Sequence, residues 1–253
     1  MVRRLCLSSG IQPGNGVPAP AGRSLPGVIT SPTFYTKVIQ TDCDPRGKTV
    51  NLEKLRAAEA SFLQRYPGGF SDPGMAPVKK KHNVDKLVAF TRENLSRSHF
   101  NRPEHVAETL LKVVSRSSMV SRFEKPRFRD FIGSLNSDEK RNLADALEQR
   151  LYGRKQQGFE QMVGMLGPHK LAKWSVVSIV PFYFAPNREV FVKPTTAKGI
   201  IAYLEVDDLH YSPTPSWAFY RGYQKLIAEV KREVVPTLAP NNAALTGFLM
   251  ASL

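Results

Sequence analysis

Apolar side chains recur at helical spacing along most of this chain, and that periodicity restricts the folds open to it. The clearest stripe consists of Leu143, Leu147 and Leu151. It follows Asn136 and Glu139, whose spacing is that of a capping box, and Gly153 stands where such a helix would end. An apolar stripe on one face of a helix must be buried against another element. The pattern therefore predicts a packed, mainly helical body.

Several other segments repeat this pattern. Helices are predicted over 52–66, 84–95, 103–114 and 220–234. Pro103 stands at the first position of its helix, where a missing N–H costs nothing, and Pro236 follows the last of the four. Residues 159–166 and 171–179 are too short and too apolar for periodicity to decide between a helix and a buried strand.

Two short runs have the β-branched and aromatic composition of strands. They are FYTKVIQ at 34–40 and EVFV at 189–192. Taken with the helical segments, they predict a mainly α protein, either all-α or α+β. The expected fold is a single helical globular domain with a few short strands.

Composition divides the chain into four segments. Residues 1–32 are rich in Pro and Gly and contain no acidic residue, so we expect a disordered tail. This segment can be a native tail, an organellar transit peptide, or the product of a start codon assigned too far upstream. Residues 33–66 predict a strand, a turn and a helix, 67–83 a loop or linker, and 84–253 the helical body. The span 33–253 can be one domain.

Cysteine content and hydropathy bear on the compartment. The chain has two cysteines, Cys6 and Cys43, which is too few for a disulfide framework and is typical of a reducing compartment. No run of 18 apolar residues is present, so no transmembrane helix is expected. These observations predict a cytoplasmic protein without a membrane partner, and they leave the oligomeric state open.

The positive charge of the chain is large and uneven. Lys and Arg number 36 against 22 Asp and Glu, which gives a net charge of +14. Within residues 112–129 there are six basic side chains and a single acid, Glu124. Such a field attracts polyanions at long range and speeds encounter with them. The charge pattern therefore indicates nucleic acid, or an acidic protein surface, as the partner.

The basic residues expected to contact nucleic acid are Lys112, Arg116, Arg122, Lys125, Arg127, Arg129, Arg154 and Lys155, with the run Lys79–Lys81 beside them. Phe123, Phe128 and Phe131 alternate with these arginines, and aromatic faces stack on unpaired bases. The alternative is that the three rings are core anchors. No helix-turn-helix, zinc-finger, homeodomain or RNP motif is present, so the pattern predicts DNA or RNA binding through phosphates rather than sequence-specific contacts.

Two other functions are compatible with the sequence. One is a metal-dependent nuclease, in which Asp42 and Asp44 would hold Mg²⁺ together with a later carboxylate. The candidates for that carboxylate are Glu205, Asp207 and Asp208, or Glu189 with Lys193. The other is an accessory subunit whose positive face meets an acidic protein. Outside the nuclease alternative, no metal or cofactor is expected.

Overall fold

A computed structural model of the protein describes residues 50–252. Its α-helices are α1 (Leu52–Arg65), α2 (Ala76–His82), α3 (Val84–Asn94), α4 (Pro103–Arg116), α5 (Glu124–Ser134), α6 (Ser137–Tyr152), α7 (Lys155–Leu166), α8 (Trp174–Phe184), α9 (Pro194–Tyr203), α10 (Trp217–Glu233) and α11 (Asn242–Ala251). Short 3-10 turns stand between several of them. Over this range the prediction of a mainly α fold is confirmed.

The predicted strand at 189–192 is wrong, and no strand occurs within residues 50–252. The stretch lies buried before α9, and side chains rather than a neighbouring strand accept its backbone hydrogen bonds. The N–H of Val190 donates to the hydroxyl of Tyr220 (3.2 Å), and the N–H of Val192 donates to Oγ of Ser178 (3.0 Å). A buried β-branched run therefore satisfies its backbone here without a sheet. The predicted strand at 34–40 and the 1–32 tail lie outside the described residues.

Helix ends follow the local signals in the sequence. At α6 the Asn136 side chain accepts from the N–H of Glu139, and the Glu139 carboxylate accepts from the N–H of Asn136, both at 2.9 Å. Ser216 caps α10, and Asn241 caps α11. The segments that periodicity left undecided are helical, as α7 and α8 show. The predicted loop at 67–83 contains two 3-10 turns and α2.

The core is organised around α8, which is buried along nearly its whole length. Helices α3, α4, α6 and α7 pack on it. Helices α6 and α7 approach each other closely at Gly158, where an added Cβ would lie 2.8 Å from the Cα of Arg150. Among the described residues, no helix is both long and apolar enough to span a membrane.

Candidate nucleic-acid interface

The predicted basic residues fall into two separate places. Lys112 and Arg116 lie in the last two turns of α4, and Arg122 lies in the connection that follows. The next three cations belong to α5: Lys125, Arg127 and Arg129. Arg154 and Lys155 instead stand at the start of α7 against α6, where their neighbours are acidic.

The connection between α4 and α5, residues 117–123, is called the α4–α5 loop here. It is anchored to α8 at both ends. The hydroxyl of Ser117 hydrogen-bonds that of Tyr183 at 3.0 Å, and at the far end Ser175 donates to the carboxylate of Glu124 at 2.6 Å. Ser175 and Tyr183 are about 12 Å apart along α8, from the 1.5 Å rise per residue. The loop therefore runs antiparallel to α8.

Glu124, the one acid in the basic segment, is neutralised inside the protein. Glu124 is only 8 % exposed. Besides accepting the hydrogen bond from Ser175, it forms an ion pair with Nζ of Lys173 at 3.6 Å. Glu124 is also the first residue of α5, where the helix dipole stabilises a negative charge. The carboxylate that should offset the basic segment thus serves to dock the start of α5 on α8.

The cations of the segment differ in what they contact. Within residues 50–252, Arg122, Lys125 and Arg127 form no ion pair, and Arg116 lies over the ring of Phe90 at 5.0 Å. Two others are paired with acids just outside the segment. These pairs are Lys112–Glu108 at 3.6 Å and Arg129–Asp130 at 3.3 Å. Apart from Arg116, which lies over the Phe90 ring, the cations of the segment that form no ion pair within residues 50–252 are therefore concentrated at 122–127.

The charges of two more lysines act on His82, which contacts the loop at Ser118. Nδ1 of His82, the last residue of α2, lies 2.9 Å from Oγ of Ser118. The pKa of His82 is lowered by its burial and by the positive charges of Lys81 and Lys193. Lys81 comes from the predicted basic run, but Lys193 does not. Its charge acts on His82 although the two residues are far apart in the chain.

The three phenylalanines of the segment have different environments. Phe128 and Phe131 are buried in the core, as the alternative interpretation predicts. Phe123 is 71 % exposed, and the guanidinium of Arg122 lies over its ring at 4.9 Å. Position explains the difference, since Phe123 precedes the first turn of α5 while the other two occupy its buried face.

The two remaining predicted contacts, Arg154 and Lys155, are close to carboxylates. Nζ of Lys155 lies 2.9 Å from Oε1 of Glu189. Arg154 lines a polar groove of about 410 Å³ together with Asp145 and Glu148. A count of charges near α7 in the sequence does not include the pairing of Lys155 with Glu189, because Glu189 is 34 residues away from Lys155 in the chain.

A second cluster of charge is enclosed in the core. Nη2 of Arg150 donates to Oε2 of Glu189 at 2.7 Å, and the hydroxyl of Tyr220 donates to the same oxygen at 2.8 Å. The guanidinium lies over the rings of Trp217 (5.5 Å) and Tyr220 (5.0 Å). Within the described residues its Nε and Nη1 have no hydrogen-bond acceptor.

This enclosed cluster perturbs the ionisation of its members. Burial acts to raise the pKa of Glu189, but the hydrogen bond and charge of Arg150, together with Lys155, lower it to about 2. Burial raises the pKa of Tyr220 well above its usual range. The carboxylate is therefore ionised and the phenol neutral at neutral pH. The sequence signal for this site is weak: Arg150 interrupts the apolar stripe of α6 between Leu147 and Leu151.

The carboxylates proposed for a nuclease are not brought together in the described region. Asp42 and Asp44 lie outside it. Glu205 accepts from Nζ of Lys54 at 2.7 Å and from Nδ2 of Asn51 at 2.6 Å, which lowers its pKa. Asp207 and Asp208 are exposed. Over residues 50–252 there is no group of three or more Asp, Glu, His or Cys side chains that could hold a metal ion.

Comparison with known proteins identifies no relative: no family model matches the chain, and neither a curated protein nor a solved structure matches it. Its function must therefore be argued from geometry and charge.

Proposed function

We propose that this protein binds nucleic acid through the phosphate backbone, using a surface centred on the α4–α5 loop. The residues of this loop surface are Lys81, Arg122, Lys125, Arg127 and Lys193. One observation carries the proposal. Glu124, the only acid of the basic segment, is buried and paired with Ser175 and Lys173, so it does not offset the exposed cations beside it.

Unpaired surface cations are what a polyanion requires. Exposed Lys and Arg that lack an acidic neighbour exchange their counterions for phosphates, and the release of those counterions drives binding. Arg grips a phosphate with two parallel hydrogen bonds, whereas Lys acts as a point charge. Arg122 and Arg127 are thus the positions from which the largest loss is expected.

The spacing of the surface supports contact with several phosphates. His82, on which the charges of Lys81 and Lys193 act, contacts the loop at Ser118, and Arg122 stands at the other end of the loop. The two anchors of the loop on α8 are about 12 Å apart along the helix, which is enough for more than one nucleotide. Such contacts position a strand without reading its bases, in agreement with the lack of a sequence-specific motif.

Salt dependence is the direct test. Fluorescence polarisation of the full chain with labelled single- and double-stranded DNA and RNA should show binding at about 0.1 M salt. Log affinity should fall with log salt with a slope of about −3.5 for single strands and about −4.5 for duplexes, for some five phosphate contacts. The double variant Arg122→Gln/Arg127→Gln should reduce the steepness of that slope by about 1.5.

The matched control is Lys140→Gln/Arg141→Gln on α6, which removes the same charge from a helix outside the loop surface. An equal loss in both double variants would mean that net charge, and not this surface, carries binding. Failure to bind any of the four probes at 0.1 M salt would overturn the proposal and turn the search to an acidic protein partner.

A further inference from the structure

Phe123 is the most exposed large apolar side chain in the described part of the protein. It is 71 % exposed, while the others in this group are between 39 % and 41 % exposed: Val78, Val235 and Met250. A phenylalanine left in water forgoes the hydrophobic gain that usually places this residue type in the core. The position therefore calls for a reason other than packing.

The backbone that carries the ring is also held in place. The N–H of Phe123 donates to Oγ of Ser121 at 3.3 Å, and the next residue, Glu124, is fixed to α8 through Ser175. The guanidinium of Arg122 covers the ring at 4.9 Å. The ring therefore has an anchored backbone and a cation over it. Such a ring loses little conformational freedom when a ligand stacks on it.

We propose that Phe123 is a stacking platform for an unpaired base, so that the loop surface prefers single-stranded nucleic acid to a duplex. This inference rests on the proposed function and names its substrate class. In a duplex both faces of a base are covered by its neighbours, so an exposed ring has nothing to stack on. In a single strand the base can turn onto the ring while Arg122 and Arg127 hold the flanking phosphates.

Three 12-nucleotide probes separate stacking from charge. One is a labelled single strand, the second a duplex of the same sequence, and the third an abasic strand that keeps the phosphates but has no bases. The full chain should bind the single strand about tenfold more tightly than the other two at 0.1 M salt. In Phe123→Ala that affinity should fall by about tenfold, within the range of about 5- to 150-fold found for base–aromatic stacking, with less than about a twofold change for the duplex and the abasic strand.

Two further variants make the result specific. Phe123→Trp should keep the preference for the single strand, and its indole fluorescence should be quenched when a base stacks on it. Val78→Ala shortens another exposed apolar side chain, on α2, and should leave all three affinities unchanged. Since Phe123 packs little, the thermal unfolding midpoint of Phe123→Ala should equal that of the native chain.

The outcomes are distinguishable from failure of the proposed function. Steep salt-dependent binding of all three probes with no gain from bases would overturn the stacking role and leave the loop surface in place. An equal loss for all three probes in Phe123→Ala would also overturn it, because the ring would then only shape the loop. Failure to bind any probe would overturn both proposals.

Discussion

Two of the arginines that lie over aromatic rings in the described part of this protein, Arg150 and Arg122, have opposite environments. Arg150 lies over Trp217 and Tyr220, its side chain is 1 % exposed, and Glu189 neutralises it. Arg122 lies over Phe123 in solvent and has no acidic partner among the described residues. The local pattern is the same, so burial and the presence of a counter-charge decide what each arginine does.

The physical basis of this difference is the cost of removing a charge from water. A buried guanidinium must be paired and hydrogen-bonded, and loss of its partner leaves an uncompensated charge in the core. An exposed guanidinium is solvated and contributes little to stability, so it remains available to a ligand. The Arg150 cluster therefore contributes to the stability of the fold, and the Arg122 region is where we propose that the ligand binds.

The largest expected effect is that of Glu189→Gln. This change keeps the shape of the side chain but leaves Arg150 uncompensated in the core, and we expect a loss of about 3–5 kcal/mol in the free energy of unfolding. Urea denaturation followed by circular dichroism measures it. Arg122→Gln is the matched control from the exposed region and should change stability by less than about 0.5 kcal/mol. Equal effects of the two variants would remove the distinction between the regions.

Acid should weaken the stabilisation that the Arg150–Glu189 cluster gives the fold, and it should have less effect on the exposed region around Arg122. The pKa of Glu189 is about 2 in the folded protein, against 4.5 for a glutamate free of these interactions. Its contribution to the free energy of unfolding is therefore fully present above pH 4.5. It is lost as the pH falls from 4.5 towards 2, by about 3 kcal/mol in total. The difference in unfolding free energy between the native chain and Glu189→Gln should therefore shrink over that window. A difference that stays constant down to pH 2 would contradict the pairing.

The close approach of α6 and α7 beside Arg150 gives a smaller effect. A Cβ at Gly158 would meet the backbone of Ala146 and Arg150, which cannot move without separating the two helices. We expect Gly158→Ala to cost about 1–3 kcal/mol. Gly164→Ala, in the same helix but with nothing within 4 Å of the added Cβ, should instead stabilise the protein by about 0.5–1 kcal/mol. Thermal denaturation of both variants measures these changes. A rise in the unfolding midpoint of both would mean that α6 and α7 are not in tight contact at Gly158.

Much of the fold could be predicted from local signals. Helix α6 has its stripe, its capping box and its terminal glycine within one continuous segment, and α4 begins at the predicted Pro103. The predicted strand at 189–192 failed because a β-branched run describes burial as well as a sheet. Whether a partner strand or the hydroxyls of Ser178 and Tyr220 accept its backbone hydrogen bonds depends on distant residues.

The candidate site could be predicted only in part. The charge density around 112–129 and the presence of Phe123 are visible in the sequence, but the partners of each cation are not. Lys155 was expected to contact phosphate, and it pairs with Glu189 from a distant segment. The charge of Lys193 acts on His82 beside the loop, and no count of local charge includes it.

The sequence by itself determined the helical class, the bounds of helices such as α1, α4 and α6 to within a few residues, and the excess of positive charge. These depend on composition and on neighbours within a few turns. Only the tertiary structure decided which charges are neutralised and which rings are exposed. Burial and ion pairing join residues such as Arg150 and Glu189, which are 39 positions apart. Their energies depend on distance through space and on exclusion of water, and neither is written in the local sequence.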